Sequence, residues 1–388
     1  VLSYWERKSF FPNDGFVIAG AGITGLSAAL QLKSLKPDIT LTVVDAGVPP
    51  GGATTRNAGF ACIGSLSEIL EDTQSQPLEE VLSLSLKRFQ GLQALRQAMG
   101  DEVIGYEPTG NYEIFFPEDK YLYESCLNLM EPTNRWLEKQ GLGAEVFTVA
   151  PTPKGLPSEA HYIFNRLEGV LDSGRLYQAL IQRCVQAGVM VLHGLKLLNF
   201  KEETDCVHLT FESFEVSVST LALCTNAFAA QLLPEEDVKP ARGVVLVSEE
   251  FAQFHHLTPA GFHHFHGYNY FRFLQGRLLI GGGRHLNTER EFTLDSSIPD
   301  DIRIYLEDLA GRITGVKSLR FDYCWTGFMG KGETKEPIVK TIGKRVACAV
   351  RLGGMGVALG YRIGGELAAM LAKISNEQSR STSKFSSA

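Results

Sequence analysis

Three glycine-rich clusters in this chain have the residue types and spacing to hold a phosphate-bearing ligand. Gly20, Gly22 and Gly25 give G-x-G-x-x-G within "FVIAGAGITGLSAALQL". The first glycine permits a tight turn, the second lets backbone approach a pyrophosphate, and the third brings a helix close to a sheet. Diphosphate charge then rests at a positive helix terminus, beside Ile23 and Thr24. Asp45 and Ala46 end the next apolar strand. An acid at that point, roughly 20 residues beyond the third glycine, accepts from a ribose hydroxyl. The second cluster is "GGATTRNAGF", where Thr54, Thr55, Arg56, Asn57, Ala58 and Gly59 suit a second pass along the same dinucleotide. It is too polar and glycine-rich to be the next buried strand of an NAD-binding half. The third, "VRLGGMGVALG", sets Gly353, Gly354, Met355, Gly356 and Val357 at the start of a last helix, whose N-terminus favours negative charge on a ligand.

The elements that must position these residues are legible in outline. Residues 16–45 read strand, glycine turn, helix, strand. Helical spacing recurs over 81–99 and over Lys120 to Gln140, the latter broken or kinked at Pro132. Asp172 or Ser173 caps a helix through Ala187, followed by the strand "VMVL". A small meander over 195–224 ends in "STLALCT". Then come a β-rich stretch over 240–285, a helix over 299–311, two strands between 317 and 350, and a helix from 356 to 373. The expected fold is α/β: a Rossmann-like dinucleotide-binding domain built from both ends of the chain, plus an α+β substrate domain on a mostly antiparallel sheet. The expected boundaries are 1–80, 156–238 and 325–375 for the first domain, 81–155 and 239–324 for the second, and a disordered tail over 376–388.

Composition narrows the function. The chain has 388 residues, 44% of them hydrophobic, which suffices for two cores. A net charge of −7 without a Lys/Arg stripe argues against nucleic acid as a partner. No apolar run reaches the ~18 residues of a membrane span. The start "VLSYWERKSFF" lacks both an initiator Met and the order of a signal peptide. Seven scattered cysteines without C-x-x-C fit reduced thiols and a cytoplasmic location. Five of the nine histidines fall in "FHHLTPAGFHHFH", where His264 and His266 share reach, but no Cys or acid completes a metal set.

The chain resembles the FAD-dependent D-amino-acid oxidase and glycine oxidase superfamily. "TTRNAG" matches its Ser/Thr-x-Arg-Asn-x-Gly signature, and "LALCTNAFAAQLL" its strand ending in A-x-G-A, with Asn226 where Gly is usual. "NYFRFLQGRLLIGGG" is similar to its substrate-domain hairpin, "DYCWTGF" to its W-x-G segment, and the closing glycines to its last strand–turn–helix. The resemblance implies noncovalent FAD and adds Leu197, Thr225 and Asn226 to the cofactor set. It implies oxidation of a C–N bond of a small amine or amino acid to an imine, with electrons passing to O₂ or to a carrier. A flavin-dependent dehydrogenase and a non-catalytic flavin-stabilised protein remain as alternatives. Cys324 is expected to pack within a strand and not to hold flavin. Met329 and Gly330 stand where amino-acid-oxidising members have Arg-Pro, which turns the resemblance toward γ-glutamylputrescine oxidases. Arg272, Tyr270 and Trp325 are the expected substrate-side residues, with Arg272 aimed into the cavity and Lys331 as a further anion partner.

Overall fold

The computed structural model describes residues 1–385, with side chains through Gln378. One sheet has six strands in the order Ile338–Thr341, Val346–Val350, Thr220–Leu223, Phe16–Ala19, Leu41–Asp45, Met190–His193. Five are parallel, and Ile338–Thr341 pairs antiparallel at one edge. Phe16–Ala19, Thr220–Leu223 and Val346–Val350 are buried at every position, as a parallel sheet covered on both faces requires. Phe16–Ala19 has Leu41–Asp45 on one side and Thr220–Leu223 on the other. The order of strands therefore reverses at its carboxyl end, which opens a crevice there.

Helices Ile23–Leu35, Leu78–Met99, Ser173–Gln186 and Gly356–Phe385 share one core with a face of this sheet. A three-stranded sheet, Leu197–Glu202, Val207–Phe211 and Glu215–Val218, covers the opposite face. The helices approach closely because glycine lines their contacts. A Cβ at Gly364 would sit 2.7 Å from Ala28 N and 2.8 Å from Thr24 O. One at Gly91 would sit 2.2 Å from Ala358 O.

The second sheet has eight strands in the order Phe321–Lys331, Lys239–Ser248, Arg277–Gly282, Asn269–Leu274, Gly261–His264, Asn111–Phe115, His161–Asn165, Phe147–Ala150. All its pairings are antiparallel except Gly261–His264 with Asn111–Phe115. Helix Asp300–Thr314 packs on its outer face against Phe262, Phe271 and Ile280.

Several sequence-based boundaries move. Helix Leu78–Met99 buries Leu92, Leu95 and Met99 in the core of the six-stranded sheet, so residues from 81 onward do not begin the substrate half. Strand His161–Asn165 belongs to the eight-stranded sheet, although it was expected in the other half. Phe321–Lys331 crosses the expected boundary at 325 without leaving that sheet, held by its long pairing to Lys239–Ser248. Three strands occupy 317–350 where two were expected. Helix Lys120–Lys139 runs through Pro132 without a break. The last helix continues to Phe385, because Asn376 and Gln378 bond to Lys36 and Ser219 on the body. Of the expected tail, 386–388 lie outside the described residues. No described helix is long and apolar enough to cross a membrane.

The Gly364→Val variant is expected to lose about 1–3 kcal/mol through overpacking against Thr24 and Ala28. Chemical denaturation measures this, and an unchanged midpoint would refute so close a helix contact.

Candidate active site

A cavity of about 1390 Å³ lies between the two sheets. It begins at the crevice, lined by Gly20, Gly22, Ile23, Thr24, Asp45 and Ala46, and passes Thr54, Arg56, Asn57 and Ala58. Leu197, Thr225 and Asn226 line it from the strand-end loops, and Gly353, Gly354, Met355, Gly356 and Val357 from the start of the last helix. All three glycine clusters, the third some three hundred residues beyond the first two, therefore face one space.

The polar contacts explain these residue types. Gly20 has φ +110°, which an L side chain rarely adopts. A Cβ at Gly25 would lie 1.9 Å from Gly20 O, so Gly25 fixes helix packing and does not line the cavity. Asp45 Oδ2 accepts from Ala21 N–H at 2.8 Å and Oδ1 from Gly47 N–H at 2.9 Å. Its carboxylate is thereby held at the mouth of the glycine turn with lone pairs to spare. Thr54 Oγ1 accepts from Ile23 N–H at 2.8 Å, which couples the second glycine cluster to the first. Asn57 Oδ1 accepts from Gly59 N–H and from Ser173 Oγ at 2.7 Å. Asn226 has φ +44°, in the left-handed region that Asn tolerates better than most residues, which accounts for Asn where the resemblance leads one to expect Gly. Its Oδ1 accepts from Leu352 N–H at 3.2 Å. Thr225 Oγ1 is buried and has no hydrogen-bond partner among the described residues. A ligand oxygen in the adjoining cavity would satisfy it.

Besides Gly25, four expected site residues do not line the cavity. Thr55 Oγ1 donates to Pro50 O at 3.0 Å and stays in its own turn. Gly59 has φ +76°, and a Cβ there would lie 2.3 Å from Leu171 O. Trp325 Nε1–H donates to Arg56 O at 3.0 Å while Arg56 Nη1–H donates to Thr326 O at 2.8 Å, a reciprocal clamp in the cavity wall. The clearest correction concerns Arg272. Strand alternation places it beside Tyr270, as expected, but its Nη1 donates to Leu171 O at 2.9 Å and Gly59 O at 3.2 Å. A guanidinium turned toward backbone carbonyls is unavailable to substrate. Tyr270 does line the cavity, packed edge-on against Phe60. Cys324 is exposed on its strand, not packed, and is not a lining residue. His264 bonds Asp119 and Asn269 while His266 bonds Ser67, so the two do not converge.

Lys331, expected as an anion partner, lines the other side of the cavity within a charged group whose other members, Glu68, Arg88, Arg284 and Lys335, sequence reasoning missed. Burial opposes ionisation of Glu68, but Lys335 and Arg88 outweigh it and hold the carboxyl at about 2. Glu68 Oε1 lies 3.1 Å from Lys335 Nζ and 3.3 Å from Arg88 Nη1. Burial, then the charges of Arg284 and Lys335, push Lys331 down to about 8. Also missed was His263, whose Nε2 lies 3.4 Å from Glu168 Oε2. Burial alone would lower that imidazole, yet Glu168 and Glu113 raise it. Sequence-distant ion pairs leave no local pattern, so only the histidine-rich stretch gave any signal.

A Rossmann-type turn, a second glycine pass and a closing glycine–helix turn around one cavity define a dinucleotide-binding protein of the two-sheet flavoprotein class. The chain belongs to the DAO family of FAD dependent oxidoreductases, whose pattern it matches over residues 16–370. Its fold is similar to that of glycine oxidase from Bacillus cereus (TM-score 0.73, 17% identity, 92% of this chain and 94% of that one). It is also similar to L-proline dehydrogenase from P. horikoshii (TM-score 0.69, 15% identity, 93% and 92%). Among characterised sequences, thiamine thiazole synthase from Yarrowia lipolytica is 45% identical over 49 residues, a stretch covering 13% of this chain and 16% of that protein.

Two variants test the assignments. Asp45→Ala removes an acceptor for a ligand hydroxyl, worth ~1.5–3 kcal/mol as a charge-assisted bond, so FAD affinity should fall roughly ten- to a hundredfold. Titration of the apoprotein with FAD measures it, and unchanged affinity would leave Asp45 a purely structural strand end. Arg272→Met should lower the melting temperature and loosen FAD together, because the Leu171 carbonyl loses its guanidinium donor and the Gly59 carbonyl keeps only the Leu171 N–H. A variant of wild-type stability with selectively impaired turnover would restore Arg272 to the substrate.

Proposed function

We propose that this protein oxidises the C–N bond of a small amine or amino acid, with noncovalently held FAD as the electron acceptor. The carrying observation is the single cavity that joins the glycine turn and Asp45 to Tyr270, His263 and the charged group around Glu68. FAD, when bound, supplies a two-electron acceptor for hydride from the amine carbon. The chain's own residues do the rest. Gly20, Gly22 and Thr54 order the turn that would face the pyrophosphate, and Asp45 would hold the ribose. The start of the last helix, with Gly353 and Gly354 at the cavity wall, would favour negative charge on the reduced cofactor. Tyr270 and Phe60 form an aromatic wall that excludes water beside the substrate.

Solved proteins of similar fold include an oxidase of glycine and a dehydrogenase of L-proline, which supports the C–N bond as the target. Met329 lines the cavity at the position where the resemblance associates an Arg with amino-acid oxidation. That replacement supports a substrate of the γ-glutamylputrescine type over a plain α-amino acid. Electrons then pass to O₂, giving hydrogen peroxide, or to a carrier.

Purified protein should be yellow, and acid precipitation should leave the colour in the supernatant as FAD. Anaerobic addition of amines and amino acids should bleach it for at least one compound. Flavin retained in the pellet would refute noncovalent binding. Failure of a broad amine panel to bleach bound FAD would refute the activity.

A further inference from the structure

The three-stranded sheet gathers a group of side chains that the proposed oxidation does not use. Thr204 and Asp205 form the turn between Leu197–Glu202 and Val207–Phe211, closed by a hydrogen bond from Glu203 N–H to Cys206 O at 2.8 Å. Strand alternation sends Val207, Leu209 and Phe211 into the core beneath this sheet, so Cys206 and His208 fall together on its outer face. Glu203 stands across the turn from Cys206, and Ser217 of the third strand stands opposite His208. The result is a carboxylate, a free thiol and an imidazole whose ligand atoms all lie within 4.8 Å of one another. His208 Nε2 is 3.7 Å from Cys206 Sγ and 3.2 Å from Glu203 Oε2. A tetrahedral zinc ion, with bonds of ~2.3 Å to sulfur and ~2.0–2.2 Å to nitrogen and oxygen, sets those two separations at about 3.6 Å and about 3.4 Å. The donors thus stand near coordination spacing already, and side-chain rotation suffices to close them on one ion.

From this we propose that Glu203, Cys206 and His208 form a binding site for a zinc-like divalent cation, with water as the fourth ligand. The donor set decides the class of ion. A thiolate beside an imidazole selects a borderline-soft ion over Mg²⁺ or Ca²⁺, which take oxygen ligands. Ser217 Oγ lies 2.8 Å from His208 Nδ1. A hydroxyl accepting from Nδ1–H sets the tautomer that leaves the Nε2 lone pair toward Cys206 and Glu203, which is how metal-bound histidines are held. Lys201 Nζ occupies the other carboxylate oxygen, Oε1, at 3.0 Å, and leaves Oε2 for the ion. Binding forms bonds from the ion to Sγ, Nε2 and Oε2 and replaces the contact between His208 and Glu203. The Cys206 thiol proton passes to solvent, and no electron is transferred. None of the three ligands lines the cavity, so the ion takes no part in turnover. What it holds is the turn. Arg345 Nε donates to Thr204 O at 3.0 Å, and Arg345 N–H donates to Glu202 Oε1 at 2.8 Å. Arg345 directly precedes Val346–Val350, so a bound ion staples the hairpin where it meets the six-stranded sheet.

The test uses untagged, FAD-loaded protein, stripped of metal with a chelator, then titrated with Zn²⁺ by calorimetry and with Co²⁺ by absorbance in the red, beyond the flavin bands. A single equivalent of Zn²⁺ should bind and release about one proton, read from buffers of different ionisation enthalpy. Co²⁺ should give the visible bands of a four-coordinate site. Zn²⁺ should raise the melting temperature, because it binds only the folded hairpin. It should also slow alkylation of Cys206 by iodoacetamide at least ~10-fold, located by peptide mass, since the thiolate is the nucleophile. Alkylation of the exposed Cys324 should proceed unchanged. Cys206→Ser and His208→Ala should each weaken Zn²⁺ by more than the ~10-fold that loss of a merely supporting group costs. Cys324→Ser should leave the affinity as it is. Flavin content and turnover should be the same in all three variants. Absence of Zn²⁺ binding, or binding that survives Cys206→Ser undiminished, would overturn the site. So would equal protection of Cys324 and Cys206 in the unaltered protein, a result that does not depend on how any variant folds.

Discussion

The buried guanidinium of Arg272 is the constraint on which the cavity wall depends. It sits on the eight-stranded sheet and donates to carbonyls of Gly59 and Leu171, which belong to the glycine-rich pass and to the turn before helix Ser173–Gln186. A buried charge is costly where its donors go unused. Here Nη1 bonds backbone while Nε has no partner among the described residues, so the carbonyls of Gly59 and Leu171 carry what fixes the two halves of the molecule to each other. Gly59 must remain glycine: its φ of +76° lies where L side chains are rare, and a Cβ would lie 2.6 Å from the guanidinium nitrogen.

That constraint decides what else can face the cavity. With Arg272 committed to backbone, and Trp325 and Arg56 clamped to each other, the wall between sheet and glycine pass is rigid and largely apolar, with Tyr270 and Phe60 toward the open space. A cluster of charge lies on the other side, where Glu68, Arg88, Lys331 and Lys335 gather from three separate segments. One side suits the body of an organic substrate and the other its polar end. Such a division is what gives a ligand a single orientation in a site.

How much of this was legible beforehand depended on the range of the interaction. Gly20, Gly22 and Asp45 act through backbone geometry within one strand–turn–helix–strand unit, so their spacing announces them. The last helix and its glycines were readable for the same reason. Alternation also placed Tyr270 and Arg272 on one face of their strand correctly. It could not say that Leu171, a hundred residues earlier, waits there with its carbonyl, so the guanidinium was assigned to substrate instead of structure. Domain limits failed where packing overrode local pattern: Gly91 draws helix Leu78–Met99 onto Ala358 of the last helix, and nothing in the amphipathic spacing names that partner. Arg284 and the Glu68 ion pairs leave no periodic trace at all.

The six-stranded sheet also sets an order of events for a chain being made from its N-terminus. Phe16–Ala19 emerges some two hundred residues before Thr220–Leu223, with which it pairs and whose other neighbour is Val346–Val350. The helix after it, Ile23–Leu35, has small residues on the face that only the final helix covers. Contacts of such long sequence separation form slowly and expose apolar strands meanwhile. The unit of Phe16–Ala19 and Ile23–Leu35 must therefore stay uncovered on the ribosome until Gly356–Phe385 has been synthesised. Its cradle for a dinucleotide is begun early and completed late.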